Sequence, residues 1–150
     1  MEAEVYPDAR VMQFLMENFV PARAHVRDQK STFDRFGAKW TPTQLILDSA
    51  GKEHHRIEGF LPVDDFLAQL KLGLAKLAFE RSDFPEAGQR YRNICREHPA
   101  SGAAAEACYW AGVAEYKARN EPSPLRETAL FLGEHYPQSE WTRKASVWMG

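Results

Sequence analysis

The cysteines and histidines are the residues of this chain whose types suggest metal binding, because thiolate and imidazole are the ligands that zinc prefers. Cys95, His98, Cys108 and His135 all lie in the second half of the sequence. However, Cys95 shares an apolar helical stripe with Tyr91, and Cys108 occupies a position where two helices are expected to touch. Small buried side chains explain both positions, so we predict no metal site and no cofactor.

The same two cysteines are also the only residues available for thiol chemistry. A disulfide between Cys95 and Cys108 across adjacent helices is an alternative interpretation. Two cysteines in a chain without a secretory leader are, however, more often reduced packing residues. We therefore expect both to be free thiols.

Two pairs of polar residues are candidates for chemistry but have simpler explanations. His54 and His55 follow a turn, and adjacent residues of a strand point to opposite faces, so the pair cannot readily hold one ion. Exposed polarity on a hairpin is the better interpretation. Asp64 and Asp65 fall in the first turn of a helix, where carboxylates complement the helix dipole. We predict no catalytic residue in this chain.

The segment Trp40-Thr41-Pro42 leads into a short apolar run at residues 45–47, a turn with Gly51 and a second run that ends at Gly59-Phe60. This order predicts a β-hairpin with strands over residues 43–48 and 53–60. Taken alone, Thr41-Pro42 indicates a trans proline that begins a strand, because only a small minority of such bonds are cis.

The whole arrangement resembles the thioredoxin-like proteins that carry helical repeats behind the redox domain. The resemblance rests on Tyr6-Pro7-Asp8, Asn18-Phe19-Val20, the Thr-Pro step and Gly59-Phe60-Leu61-Pro62. It implies a cis Pro42 and a backbone at Thr41 that pairs with an extended substrate peptide. Trp40, Thr41 and Pro42 are therefore the candidate peptide-binding residues. The alternative is that Pro42 only shapes the edge of the sheet.

The sequence departs from that family in one respect that concerns function. The family places a Cys-x-x-Cys pair opposite the proline, whereas the first cysteine of this chain is Cys95. We therefore predict a redox-inactive chain that acts as a protein-interaction module. The alternative is a truncated thiol-disulfide oxidoreductase whose Cys-x-x-Cys lies upstream of Met1.

Residues 1–70 are predicted to form an α/β domain that lacks the first strands of a thioredoxin fold. A helix begins near Asp8, a strand covers Phe19 to Val26, and a further helix begins at Pro62. In the complete fold a strand lies between the Phe19–Val26 strand and the first hairpin strand. Because unpaired strand edges are avoided, we expect the two strands to pair directly or a second copy to form a homodimer by strand exchange.

Residues 71–150 contain an internal repeat with a shift of 38 positions. The first set consists of Ala87, Tyr91, Ile94, His98 and Pro99. The second set, in the same order, consists of Leu125, Ala129, Leu132, Tyr136 and Pro137. Small residues at helix contacts and a proline after each second helix resemble a tetratricopeptide-type repeat, although the usual period is about 34 residues. The pattern predicts helices over residues 71–81, 85–97, 103–118, 124–136 and 140–149.

Composition limits the classes of partner. The formal net charge is −2 and no basic stripe is present, which argues against nucleic acid as a partner. No apolar run approaches the roughly 20 residues that span a bilayer. The acidic start lacks the apolar core of a signal peptide. We expect a cytoplasmic protein with a polypeptide partner, built as a partial thioredoxin-like fold followed by helical repeats.

Overall fold

The computed structural model describes residues 1–150 and shows a small two-stranded sheet with seven α-helices and one 3₁₀ helix. The elements in chain order are α1 (Ala9–Asn18), α2 (Lys30–Phe36), β1 (Thr43–Leu47), β2 (Glu53–Glu58), α3 (Val63–Glu80), α4 (Phe84–Glu97), α5 (Ala104–Arg119), α6 (Ser123–His135), α7 (Glu140–Ala145) and η1 (Ser146–Met149). A mixed α/β region is thus followed by a purely helical one.

The first region is organised around the hairpin and one face of α3. β1 and β2 pair antiparallel, with Gln44 opposite Ile57 and an irregularity between Ile46 and Leu47. The buried cluster joins the hairpin to helices α1 and α3 and consists of Val5, Val11, Ile46, Ile57, Phe66, Leu67 and Leu70. The hairpin is therefore held from one side by α3, and this support positions the segment that precedes β1.

The predicted strand at Phe19 to Val26 is wrong. Phe19 is extended and caps α1, but the residues that follow join no sheet, and Val20 is 97% exposed. β1 pairs only with β2, so the expectation that the two strands pair directly is wrong as well. The physical reason is that a strand requires a neighbour for its backbone hydrogen bonds, and no segment of this chain supplies one here.

The helix α3 is common to both regions. Two helices were expected, one beginning at Pro62 and one covering residues 71–81, but a single helix runs from Val63 to Glu80. Gly73 lies where this helix meets the hairpin, and a Cβ atom there would come within 2.1 Å of Ile46 Cδ1. The close approach thus requires glycine. The domain boundary between residues 70 and 71 falls inside this helix and stays a prediction.

The helical region packs α3, α4 and α5 around Tyr91 and Ile94, and a second cluster fills the space between α5, α6 and α7 around Leu132.

The residues that follow α4 and α6, which lie 38 positions apart, have the same backbone geometry. His98 has φ −130° and ψ 50°, and Tyr136, 38 positions later, has φ −133° and ψ 52°. The Tyr136 hydroxyl donates to the carbonyl of Pro99 at 2.8 Å, which ties the second turn to the first.

The last predicted helix, over residues 140–149, is divided. The α-helix ends at Ala145 and the chain continues as the 3₁₀ helix η1. Trp148 in η1 stacks on Tyr109 of α5, with ring centroids 4.7 Å apart. The tighter final turn places this aromatic ring over the exposed end of the helical stack.

Candidate functional site

The three candidate peptide-binding residues lie between α2 and β1, at the entrance to the sheet. The Thr41–Pro42 peptide bond is cis. The Trp40 side chain is 68% exposed, which is unusual for the largest apolar side chain. The hydroxyl of Thr43 donates to the carbonyl of Trp40 at 2.7 Å and fixes the bend between them. The structure thus presents an indole ring beside a constrained backbone turn.

The far end of β2 completes this surface. Gly59 N–H donates to the carbonyl of Pro42 at 2.8 Å, so the turn is joined to the end of the hairpin. Gly59 has φ +88°, a conformation that favours glycine. The next residue, Phe60, is 53% exposed. The Gly59–Pro42 hydrogen bond holds the two segments together. Trp40 lies two residues before Pro42, and Phe60 directly follows Gly59.

Arg56 holds the segment that leads into the site. Its guanidinium forms a two-point interaction with Glu53, with Nε–Oε1 2.8 Å and Nη2–Oε2 2.7 Å. It also donates to the carbonyl of Phe36, the last residue of α2, after which Gly37 turns the chain at φ +59°. The hydrogen bond with Glu53 raises the pKa of Arg56, and the same contact lowers the pKa of Glu53. The pair thus fastens the end of α2 to β2.

Thr41 carries the groups with which this surface can bind. It is exposed, and neither its backbone N–H nor its carbonyl takes part in a hydrogen bond within the chain. β1 likewise has a strand on one side only. Unpaired backbone groups beside a sheet edge are what an extended peptide requires in order to add itself to a sheet. The arrangement can therefore bind a polypeptide by main-chain hydrogen bonds.

The cysteines lie away from this surface and are not free thiols, so the expectation of two reduced packing residues is wrong. Cys95 of α4 and Cys108 of α5 form a disulfide, with their Cα atoms 5.6 Å apart. The two belong to the helical clusters and not to the cluster beneath the hairpin. The pairing follows from the antiparallel packing of α4 on α5, which brings two side chains together from opposite sides of one turn.

The histidines of the hairpin are not exposed polar residues, which corrects a second prediction. The His54 side chain is only 4% exposed and lies between Asp48 Oδ2 at 2.9 Å and Glu80 Oε2 at 3.0 Å. The hydrogen bond from His54 lowers the pKa of Asp48 to about 2. The carboxylates contact opposite ring nitrogens and so cannot share one ion with the imidazole. The group fastens the hairpin to the end of α3.

His55 is also partly buried, and its Nε2 lies 2.7 Å from Gln69 Oε1 of α3. Burial lowers its pKa, and the neighbouring Lys76 ammonium adds to this effect. The ammonium in turn pairs with Glu106 of α5 at 2.9 Å. No group of three or more His, Cys, Asp or Glu side chains in the chain is arranged to hold a metal ion. These residues join the two regions of the molecule through contacts with α3 and α5.

Comparison with known families addresses the first region. Residues 1–73 match the family model described as a thioredoxin-like domain. The match supports the resemblance on which the fold class rested, and the α/β region followed by a helical segment confirms that class. No curated protein and no solved structure matches the chain. The thioredoxin-like match ends inside α3, the helix that is common to both regions.

Two features of the chain were missed by reasoning from the sequence. Cys95 lies near the end of α4 and Cys108 near the start of α5, so the short connection between the two helices was the available signal for the disulfide. The burial of His54 had no such signal, because Glu80 is supplied by a distant helix.

None of the helices is long and apolar enough to cross a membrane.

Proposed function

We propose that this thioredoxin-like chain is a protein-interaction module that binds an extended polypeptide at Trp40, Thr41 and Pro42, without thiol chemistry at that place. The observation that carries the proposal is the exposed Thr41 backbone with both polar groups unpaired. Trp40 and Phe60 add exposed aromatic area, which is typical of binding hot spots. Both cysteines lie in α4 and α5, so no thiol of this chain stands beside the bound peptide.

The bound segment would lie along the free side of the turn and of β1. Main-chain hydrogen bonds to Thr41 give affinity for any extended backbone, whereas the aromatic side chains favour apolar residues in the peptide. The site has no cluster of charge that would select an acidic or a basic sequence. We therefore expect a broad preference for unfolded or extended apolar segments.

The test is titration of the full chain with a reduced and carboxymethylated unfolded protein, followed by backbone NMR. We expect shifts concentrated at residues 38–47 and a loss of affinity of about tenfold or more in Trp40→Ala, which is the size of a typical hot-spot truncation. Val147→Ala is the matched control, because Val147 is 75% exposed but lies in η1 at the other end of the chain. Equal losses in both variants, or shifts confined to the helical region, contradict the proposal.

A second copy of the chain is the other polypeptide that this edge would accept. The segment at residues 20–25 has no strand partner within its own chain, and β1 has a free edge. Strand exchange between two copies would pair them. Sedimentation at micromolar concentration distinguishes the two occupants: a dimer that dissociates when the unfolded protein is added supports shared use of one edge, whereas a monomer at all concentrations excludes the homodimer.

A second candidate function is a thiol-disulfide oxidoreductase of which this chain is a part, with a Cys-x-x-Cys upstream of Met1. The match of residues 1–73 to a thioredoxin-like domain favours it. The nucleotide sequence before Met1 tests it directly: an in-frame Cys-x-x-Cys supports the enzyme, and a stop codon immediately upstream excludes it. The tetratricopeptide character of the repeat and the cytoplasmic location also stay proposals, the latter to be checked by cell fractionation.

A further inference from the structure

A groove of about 330 Å³ lies between α4, α5 and α6, and the Cys95–Cys108 disulfide forms part of its wall. Cys95 is only partly buried, whereas Cys108 is 5% exposed. A disulfide reacts when an attacking thiolate reaches one of its sulfurs. Both cysteines line the groove, and Cys95 is the more accessible of the two to molecules small enough to enter.

Both cysteines are also accommodated in the reduced state. Cys95 Sγ lies 3.8 Å from the carbonyl oxygen of Ala104, so a thiol at this position has an acceptor for its weak hydrogen bond. Cys108 packs against Ala129 and Leu132 in the cluster between α5 and α6, where a buried thiol behaves as a small apolar side chain. The surroundings of both sulfurs thus suit thiols as well as a disulfide.

The packing of α4 on α5 does not depend on the disulfide. The centre of their interface is filled by Tyr91, Ile94, Ala107 and Ala111, which are buried apolar residues, while Cys95 lies at the margin of this cluster. The helices are thus held together by burial of apolar surface whether or not the sulfurs are bonded. We therefore expect the helices to stay packed when the bond opens.

We propose that Cys95–Cys108 is a reversible thiol–disulfide exchange site, whose co-reactant is a thiol reductant that enters this groove. The thiolate of the reductant attacks Cys95 Sγ, the bond to Cys108 breaks, and the Cys108 sulfur takes the electron pair and then a proton from water. A second thiol of the reductant attacks the mixed disulfide and releases Cys95. Two cysteine thiols and one disulfide of the reductant are the products, so the cysteines gain the two electrons that the reductant loses.

The charges of the groove affect which reductant reacts fastest. Arg92 lies one turn before Cys95, and its charge is shared with Glu115, with Nη1–Oε2 3.5 Å. Glu115 also pairs with Arg119 at 2.9 Å. Glu127 lines the groove and makes no ion pair in the chain, so its carboxylate is the charge that an approaching thiolate meets without a cationic partner beside it. A thiolate that carries further negative charge is therefore slowed more than one that carries none.

The experiment uses the full chain, first oxidised with glutathione disulfide and then exposed without denaturant to reduced glutathione or to dithiothreitol. Free thiols are trapped with an alkylating agent and counted by intact mass spectrometry, and helix content is followed by circular dichroism. We expect an intramolecular disulfide, a reduction rate proportional to thiol concentration, a trappable glutathione adduct and unchanged helix content. A reaction with a reduced dithiol protein but not with small thiols supports the exchange site and identifies a protein as its reductant.

Charge reversal in the groove tests the route. Glu127→Lys should raise the rate with glutathione about threefold and the rate with dithiothreitol by less, because the attacking glutathione thiolate carries one more negative charge than the dithiothreitol thiolate. Glu134→Lys, on the same helix but outside the groove, is the matched control. The proposal is overturned if no intramolecular disulfide forms, if reduction proceeds only at a thiol-independent unfolding rate, if helix content collapses on reduction, or if both variants change the rate equally.

Discussion

The two regions of this molecule differ in how they pair their backbone polar groups and bury their apolar side chains. In the helical region the backbone bonds are internal to each helix, and the buried residues Tyr91, Ile94 and Leu132 fill two clusters. In the first region a two-stranded sheet leaves an open edge. Large apolar side chains are exposed in both regions, but more of them in the first, namely Met12, Met16, Val20, Val26, Trp40, Leu47 and Phe60, against Leu130, Phe131, Val147 and Met149 in the helical region. Helices need no neighbour for their hydrogen bonds, whereas strands do.

This difference underlies the separate roles that we propose for the two regions. The open edge and the exposed aromatic rings of the first region are suited to binding a polypeptide. The helical region instead encloses a disulfide in a groove that only a small or well-fitted reductant can enter. α3 contributes residues to the cluster beneath the hairpin and to the cluster between α3, α4 and α5. The stability of one region is therefore coupled to that of the other.

The largest contrast is expected in amide hydrogen exchange. The amides of Val20, Ala22, Arg23 and Ala24 make no hydrogen bond within the chain, while that of Ile94 in α4 lies in the buried core. We expect exchange at residues 20–24 to be roughly a thousandfold or more faster than at Ile94, because core amides exchange by global opening. Mass-spectrometric exchange of the full chain measures this, and slow exchange at residues 20–24 would show that they are paired, as in a strand-exchanged dimer.

Coupling between the regions is tested by Phe66→Ala. Phe66 is 1% exposed on α3 and packs edge-on against Tyr6, with ring centroids 5.9 Å apart. The truncation should lower the free energy of unfolding by about 4 kcal/mol. Urea denaturation should still show one transition, because α3 belongs to both clusters.

Phe60→Ala is the control for that prediction, since Phe60 is half exposed and follows β2. It should change stability by no more than about 0.5 kcal/mol. If Phe66→Ala instead splits the denaturation curve into two transitions and shifts only the first, the regions unfold independently and the shared helix does not couple them.

The repeat within the helical region is examined by comparing the starts of α4 and α6. The Asp83 carboxylate caps α4 by accepting from Glu86 N–H at 3.3 Å, whereas α6 begins after Pro122 with no side-chain cap. Asp83→Ala should cost about 1 kcal/mol, the typical value of such a cap. Ser123→Ala should cost less than about 0.5 kcal/mol. Similar losses in thermal denaturation would mean that the two helix starts are equivalent after all.

The smallest effect is expected from Asp48, which fastens the hairpin. Its pKa falls from 3.8 to about 2 because His54, Lys52 and Ala50 hydrogen-bond to the charged form. A carboxyl group whose pKa is lower in the folded than in the unfolded state stabilises the fold. This stabilisation is complete at pH values above the pKa of the unfolded state and is lost as the pH falls through the pKa of the folded state. Urea midpoints should therefore decrease between pH 4 and pH 2, within the interval set by the two values.

Asp48→Asn should be less stable at neutral pH and should show a shallower decrease over the same acid range. Glu121→Gln is the control, because Glu121 is exposed in the loop before α6 and makes no ion pair or side-chain hydrogen bond. A wild-type acid slope that Asp48→Asn leaves unchanged would assign the acid sensitivity to other carboxylates.

Much of the fold was predictable because its signals are local. The hairpin followed from the apolar run at Leu45–Leu47 and the Gly51 turn, and the ends of α4 and α6 followed from His98-Pro99 and Tyr136-Pro137. The candidate residues Trp40, Thr41 and Pro42 were found through a family resemblance, and the structure places them together on one exposed turn. Their role in peptide binding is a proposal that the experiments above address.

The sequence by itself determined the elements whose hydrogen bonds close within a few residues: the helices, the turns and the 38-residue repeat that places His98 and Tyr136 in the same conformation. Only the tertiary structure decided that residues 19–26 form no strand, that Cys95 is bonded to Cys108 and that His54 lies between Asp48 and Glu80. Each of these outcomes depends on a partner supplied, or not supplied, by another segment. Local sequence cannot specify that, because strand pairing and side-chain burial are set by which distant residues pack together.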